Sequence, residues 1–213
     1  MAVADLETRI LDAAKQRCEQ WGFEKVTVDD IAAAAGISRA TLYRLFPGGK
    51  DILFEALRVR ERSEFFDALT AQVHDVDDLE DLVVRLVVTA TRELRADEHL
   101  ALMLASEPGE TLVELTAGGM PRIIETATDY LGPLLKPHLA PEVAPIVIEL
   151  LVRLTLSYFL APSVHVDFGD PASARAFLRP GLSLLPTSTL PTATLPTATL
   201  PTSTTSTTRP EPT

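Results

Sequence analysis

The residues with most to offer chemically stand in one short run, Ser38-Arg39-Ala40-Thr41-Leu42-Tyr43-Arg44-Leu45-Phe46-Pro47. A serine accepts from the first free amides of a helix and a proline cannot extend one, so Arg39 to Phe46 is predicted to be a short helix. Of its apolar residues, Leu42 and Phe46 are expected inside. Arg39, Thr41, Tyr43 and Arg44 are then left for the solvent side, where they are useful to a polyanion and would be awkward to bury. A guanidinium pairs bidentately with a phosphate or with the edge of a guanine, and hydroxyls bond phosphate oxygens. This is the chemistry of recognition rather than of bond making.

Groups that make and break bonds are present but scattered. His74, His99, His138 and His165 show no metal-ligand spacing such as H-x-x-x-H, and no G-x-S-x-G, P-loop or G-x-G-x-x-G run occurs. His165-Val166-Asp167 reads as a solvated loop. The single cysteine, Cys18, continues the apolar stripe Ile10, Leu11, Ala14 and is expected in the core. It excludes an intramolecular disulfide and fits a reducing compartment. Neither a metal nor a cofactor is called for, and an enzyme is not expected.

The elements that must hold the arginines precede and follow them. Thr27 N-caps a helix through Ile31 and Ala32 to Ala35, with Asp30 as the partner of an approximate capping box. Gly36 takes the position after the helix, where positive φ is needed. Two short helices joined by a three- to four-residue turn with glycine form a helix-turn-helix, here over 27–46. Small Ala32 and Ala35 permit a close crossing, and Ile31, Ile37, Leu42 and Phe46 supply its buried contacts.

Further along, apolar residues recur at three- and four-residue spacing and alternating strand patterns are hard to find, so the fold class is all-α. Asp77 to Arg95 is predicted to be one helix and Asp97 to Ser106 a shorter one. Gly118-Gly119 separates Thr111–Thr116 from a helix starting near Met120 or Pro121, which Gly132-Pro133 should bend or end. Pro141 to Ala161 reads as a long helix, apolar nearly all round and so buried on several sides. Asp170-Pro171 opens a last helix as N-cap and N1. Composition divides the chain into 5–62, 63–185 and a tail, 186–213, of Leu-Pro-Thr-x-Thr repeats. Proline every five residues forbids a helix there, so the tail is expected to be disordered.

Taken alone, the net charge of −11 argues against a polyanionic partner. Up to Arg62, however, ten basic residues balance ten acidic ones, and the remaining nine face twenty. All the excess acid lies outside the first unit. Between Gly36 and Arg62 the bases outnumber the acids by three. Screening confines each field to about 10 Å, so a local basic surface survives on an acidic body. The N-terminus lacks a signal peptide, and no run of about eighteen uncharged apolar residues marks a membrane span. The expected location is cytoplasmic.

The run from Thr8 to Leu57 resembles the tetracycline-repressor (TetR) family of transcriptional regulators. It carries Arg9-Ile-Leu-Asp-Ala-Ala14, Trp21-Gly-Phe23, Val26-Thr27-Val28, Ile31-Ala32, Ala35-Gly36-Ile37-Ser38, Thr41-Leu42-Tyr43, Phe46 and Lys50-Asp51-Ile52-Leu53. Two positions depart from the family pattern. Ala40 stands where glycine is common, which alters groove contacts, and Pro47-Gly48-Gly49 replaces a commoner polar link before the lysine. The resemblance implies a three-helix DNA-binding unit whose recognition helix lies in the major groove of a double-stranded operator. Arg39 and Arg44 would read base edges, and Thr41 and Tyr43 would face phosphate. Tyr43 also reads as a core ring with an exposed tip. Lys50, and likewise Thr27, would add to helix-start amides aimed at phosphate. Trp21 reads as a half-exposed packing residue.

One recognition helix contacts too little DNA for useful specificity, so a homodimer reading a near-palindrome is expected. In the family the last two long helices pair as a four-helix bundle, which points to Ile146, Leu150, Leu154, Tyr158 and Phe177. Family members also commonly enclose an effector pocket. Phe65, Phe66, Leu86, Met103, Leu104, Ile124 and Tyr130 would line it, with His99 and Arg122 as polar anchors. The many aliphatic residues favour a small apolar effector. Its binding would favour a spacing of the two recognition helices that does not fit successive grooves. The function so implied is that of a dimeric repressor released by a small molecule, although activation stays open because the sign depends on operator position.

Overall fold

The computed structural model describes residues 3–186, and the repeat-rich segment from residue 187 on lies outside them. The described residues form ten helices and no strand: α1 Val3–Trp21, α2 Val28–Ala34, α3 Arg39–Leu45, α4 Lys50–Ala71, α5 Leu79–Ala96, α6 Glu98–Ser106, α7 Pro108–Leu115, α8 Met120–Leu135, α9 Ala144–Leu160 and α10 Pro171–Leu182. The fold is all-α, as the periodicity predicts.

Two apolar cores divide the molecule. The first joins α1 to α4: Ile10, Leu11, Ala14 and Cys18 from α1 meet Ile31, Ala32, Leu42 and Phe46, with Leu53, Phe54 and Leu57 of α4. Burial pushes the Cys18 thiol up to about 12, so it stays protonated and acts as a small apolar filler. The second core gathers Phe66 and Leu69 of α4, the inner face of α5, Ala127, Leu131 and Leu135 of α8, Val147, Ile148 and Leu151 of α9, and Ala174 and Leu178 of α10. The helix α4 belongs to both. Its first turns bury residues in one core and its last turns in the other, so the composition boundary near residue 62 falls inside a continuous helix.

Capping side chains set half of the ten helix starts. The side chains of Thr27, Ser38, Asp78, Asp97 and Asp170 each accept a backbone amide of the first turn that follows. Each such cap stabilises its helix by about 0.5–2 kcal/mol relative to alanine. Two boundaries differ from the pattern-based reading. The helix α9 starts at Ala144 rather than at Pro141, because Pro145 is tolerated in a first turn but would break an interior hydrogen bond in a helix begun earlier. The helix α8 runs past Gly132-Pro133 to Leu135. Leu135 and Leu139 are completely buried, which offsets the one backbone bond that Pro133 cannot make.

Candidate nucleic-acid interface

The turn between α2 and α3 is built by its glycine. Gly36 has φ of 64°, and its amide donates to Ala33 O (3.1 Å) while that of Ile37 donates to Ala32 O (3.0 Å). These paired bonds form a Schellman closure, which needs a left-handed residue at this point. Upstream, Thr27 and Asp30 make a complete capping box: Thr27 Oγ1 accepts from Asp30 N (3.2 Å), and Asp30 Oδ2 accepts from Thr27 N (3.0 Å). The same carboxylate accepts from Thr27 Oγ1 at 2.6 Å. These bonds, the hydroxyl's first, hold the Asp30 carboxyl below its ordinary range. Thr27 is exposed, yet its hydroxyl proton and its amide both serve α2.

The next helix presents a distinct outer face. Leu42 is fully buried and Phe46 nearly so, while Arg39, Ala40, Tyr43 and Arg44 are exposed. Positions i, i+1, i+4 and i+5 share one side of a helix. Thr41 is half-buried; its hydroxyl lies 2.9 Å from that of Ser38, and its amide donates to Ser38 Oγ at 3.1 Å. The two arginines differ in what holds them. Arg39 Nη1 donates to Asp29 Oδ2 at 3.0 Å, and its guanidinium lies 5.4 Å from the centre of the Tyr43 ring. The hydrogen bond with Tyr43 and the charge of Asp29 raise the Arg39 pKa above its already high ordinary value. The Arg44 guanidinium has no ion pair or hydrogen bond among the described residues, so its donors are free for a partner.

Tyr43 combines both roles read from its type. The residue is 39% exposed, and its ring packs on Gly49 so closely that a Cβ there would stand 3.0 Å from Cε1. Gly48 and Gly49 both have positive φ, 128° and 71°, so the Pro47-Gly48-Gly49 link uses both glycines to turn the chain into α4. Lys50 is placed differently from the expectation of a free cation at a helix start. It is half-buried; Nζ donates to Phe23 O at 2.6 Å and sits 4.2 Å from the Phe23 ring centre and 5.9 Å from that of Phe54. One of its three protons is spent on tying α4 to the turn after α1. Trp21 is 44% exposed, with the Arg17 guanidinium 4.9 Å above its ring.

Between the two cores lies a cavity of about 280 Å³. Phe65, Phe66, Leu86, His99 and Met103 line it as expected, whereas Leu104, Arg122, Ile124 and Tyr130 do not. Arg122 lies at the surface between Glu55 (3.8 Å) and Glu114 (4.0 Å). Tyr130 stacks on Phe66 at 5.7 Å, and Ile123 and Leu100 take the inward positions on their helices. Sequence reasoning missed Cys18, Phe23, Phe54 and Leu57, which reach the cavity from the first core, and Thr155 from α9. No local signal separates such residues from ordinary core, because only the packing of α1 and α4 against the second unit opens space beside them.

The α9 stripe faces outward as well as inward. Val147, Ile148, Leu151, Val152 and Leu156 are buried, yet Ile146 is 68% and Leu150 54% exposed. Leu154 and Tyr158 are half-buried beside them, and Phe177 of α10 is exposed against the Tyr158 ring at 5.6 Å. No helix among the described residues is long and apolar enough to cross a membrane.

Residues 10–57 match the model for bacterial regulatory proteins of the tetR family. Over this stretch the chain resembles the TetR family. Two curated relatives, both uncharacterized HTH-type transcriptional regulators, agree. One, from Mycobacterium tuberculosis, is 38% identical over 104 residues, covering 49% of this chain and 52% of the relative. The other, from Mycobacterium bovis, is 36% identical over the same length. The chain thus spans about half the length of the curated relatives it matches. Among solved structures, the TetR-family repressor AlkX from a Dietzia strain superposes with a TM-score of 0.63 at 23% identity, covering 84% of this chain and 96% of that one. GusR from Salmonella enterica gives 0.55 at 22% identity, with coverages of 86% and 98%. At these identities the likeness is one of fold, and it covers both cores. The matched stretch includes the α2–α3 pair described above.

Proposed function

We propose that this protein is a TetR-type regulator: a sequence-specific, dimeric DNA-binding repressor released from a near-palindromic operator by a small molecule. The observation that carries the reading is the outer face of α3. Leu42 and Phe46 pin the helix to the core, while Arg39, Ala40, Tyr43 and Arg44 stand together in solvent with the Arg44 guanidinium unpaired. In this reading residues 5–62 bind DNA, with Arg39 and Arg44 on base edges and Thr27, Thr41, Tyr43 and Lys50 toward phosphate. Residues 63–185 form the dimerisation and effector unit. The apolar stripe Ile146, Leu150, Leu154, Tyr158 with Phe177 supports a two-fold interface, because exposed apolar area of this kind is characteristically covered by a partner. The cavity between the cores supports an effector site.

The test is selection of bound duplexes from a random pool by the full chain, followed by titration of the enriched sequence at several salt concentrations. Recovery of a two-fold half-site pattern, bound with steep salt dependence, is expected. Failure to enrich any sequence, with affinity insensitive to salt, overturns the reading.

A further inference from the structure

The polar groups on the cavity wall are not all answered from within the chain. The wall is mainly hydrocarbon, with Phe65, Leu86, Leu94, Leu100 and Ile123 among its residues. Arg58 and Arg62 stand one turn apart on α4, and both line the cavity. Both reach toward Glu55, but on unequal terms. Arg58 takes Glu55 Oε2 with two donors, Nε at 3.2 Å and Nη2 at 3.0 Å. Arg62 comes only within 3.9 Å of Oε1, which Arg122 also approaches at 3.8 Å. One carboxylate thus faces three guanidinium groups. Arg62 makes no hydrogen bond among the described residues, although its side chain is only 20% exposed. Its charge and its N–H donors are unspent.

The acids on the wall do not cancel that charge. Lys15 Nζ stands 3.0 Å from Glu61 Oε1 and answers it, although this buried oxygen accepts no aligned hydrogen bond. Glu114 meets Arg122 at 4.0 Å, while Asp97 and Glu110 are exposed to solvent, where Asp97 also caps α6. His99, on the same wall, buries Nδ1 without a partner. Its Nε2 lies 3.9 Å from Glu61 Oε1, too far for a hydrogen bond, so neither ring nitrogen is committed to holding the proton. A buried polar group without a partner is unfavourable until something supplies one, and a cation more so.

We infer that the cavity takes a hydrocarbon chain ending in a carboxylate, with Arg62 as the anchor of the carboxylate and His99 as a further polar contact. A guanidinium fork matches the two oxygens of a carboxylate, and the apolar wall covers the chain. A neutral or cationic head would leave the Arg62 charge unanswered. The inference names the class of effector within the proposed function and rests on that reading only for the consequence on DNA. The cavity volume corresponds to about nine groups of water size at roughly 30 Å³ each, which suits a carboxylate of about eight carbons.

Calorimetric titration of the full chain with octanoate, 1-octanol and octyltrimethylammonium tests this. Octanoate is expected to bind saturably and at least roughly ten-fold tighter than 1-octanol, as charge-assisted hydrogen bonds to an unspent guanidinium require, with the ammonium weakest. Arg62→Met keeps the aliphatic stem, and it should weaken octanoate at least roughly ten-fold while changing 1-octanol less than about two-fold. Arg62→Lys keeps the charge and should retain the preference for the carboxylate. His99→Leu should weaken octanoate roughly five-fold, the equivalent of one net hydrogen bond. Circular dichroism checks that each variant is folded, and the ranking of the three probes on the unaltered chain needs no variant. Octanoate bound no tighter than 1-octanol, tighter binding of the ammonium, failure of Arg62→Met or His99→Leu to weaken octanoate selectively, or no binding of any probe overturns the inference. DNA binding by the ligand-free chain is measured alongside. DNA bound without octanoate binding defeats only the ligand class, and octanoate bound without DNA binding defeats only the regulator reading.

Discussion

Lys50 offers a quantitative test, because the resemblance and the structure ask different things of it. The family pattern places a cation at the start of α4 for phosphate, whereas the structure seats the ammonium on Phe23 O and over the Phe23 ring. Lys50→Met keeps the aliphatic stem across Phe23 and Phe54 and removes only the charge and its protons. A hydrogen bond from a charged donor contributes about 1.5–3 kcal/mol, and a cation over a partly desolvated ring adds about 0.5–2 kcal/mol. The half-exposed position and the retained stem reduce the sum, so a loss of about 2 kcal/mol is expected. With a urea dependence of about 2 kcal/mol per molar, the unfolding midpoint should fall by about 1 M. Circular dichroism at one fixed protein concentration measures it, since the stability of the proposed dimer would depend on concentration. An unchanged midpoint would refute the structural seat. In parallel, the slope of log K against log salt on any duplex should fall by about 0.9 if Lys50 also neutralises a phosphate. An unchanged slope confines the residue to its role in folding.

Other expectations follow from neighbouring contacts. Arg44→Ala should cost about 1–3 kcal/mol against the preferred operator and far less against unrelated duplexes, measured by competition binding, with Arg39→Ala behaving alike. Asp29→Ala removes the carboxylate that holds Arg39 at 3.0 Å, and it should tighten binding to non-specific duplexes in fluorescence anisotropy. Gly49→Ala forces a side chain into positive φ against the Tyr43 ring, and a stability loss of at least about 1 kcal/mol should appear in thermal unfolding. Leu150→Glu puts a charge in the exposed α9 stripe; sedimentation should then show a monomer with intact helical content and weakened operator binding.

The chain order of residues carries much of this protein openly. Thr27 with Asp30, Gly36 and Ser38 announce the helix-turn-helix, because capping and turn closure are decided by residues within four positions of one another. The dense motif from Arg9 to Leu53 carries the family resemblance, the hydrophobic period places α5 and α6 to within two residues, and Asp170-Pro171 marks the start of α10. The exposed face of α3 was legible for the same local reason. Where local rules compete, the result was harder to read: two prolines shifted the start of α9, and burial of Leu135 carried α8 beyond Pro133.

Tertiary structure decided which apolar residues border open space and which are simply core. Phe54 and Leu57 show the same helical spacing as any core residue, and Ile123 cannot be told from Ile124 by type. The pairing of Lys50 with Phe23, twenty-seven positions away, and of Arg39 with Asp29 likewise depends on how helices cross. Sequence patterns determine contacts within a turn or two of a helix, since backbone geometry fixes those neighbours. Contacts between helices depend on packing that side chains from distant segments settle together, and the cavity and the seat of Lys50 are both of this second kind.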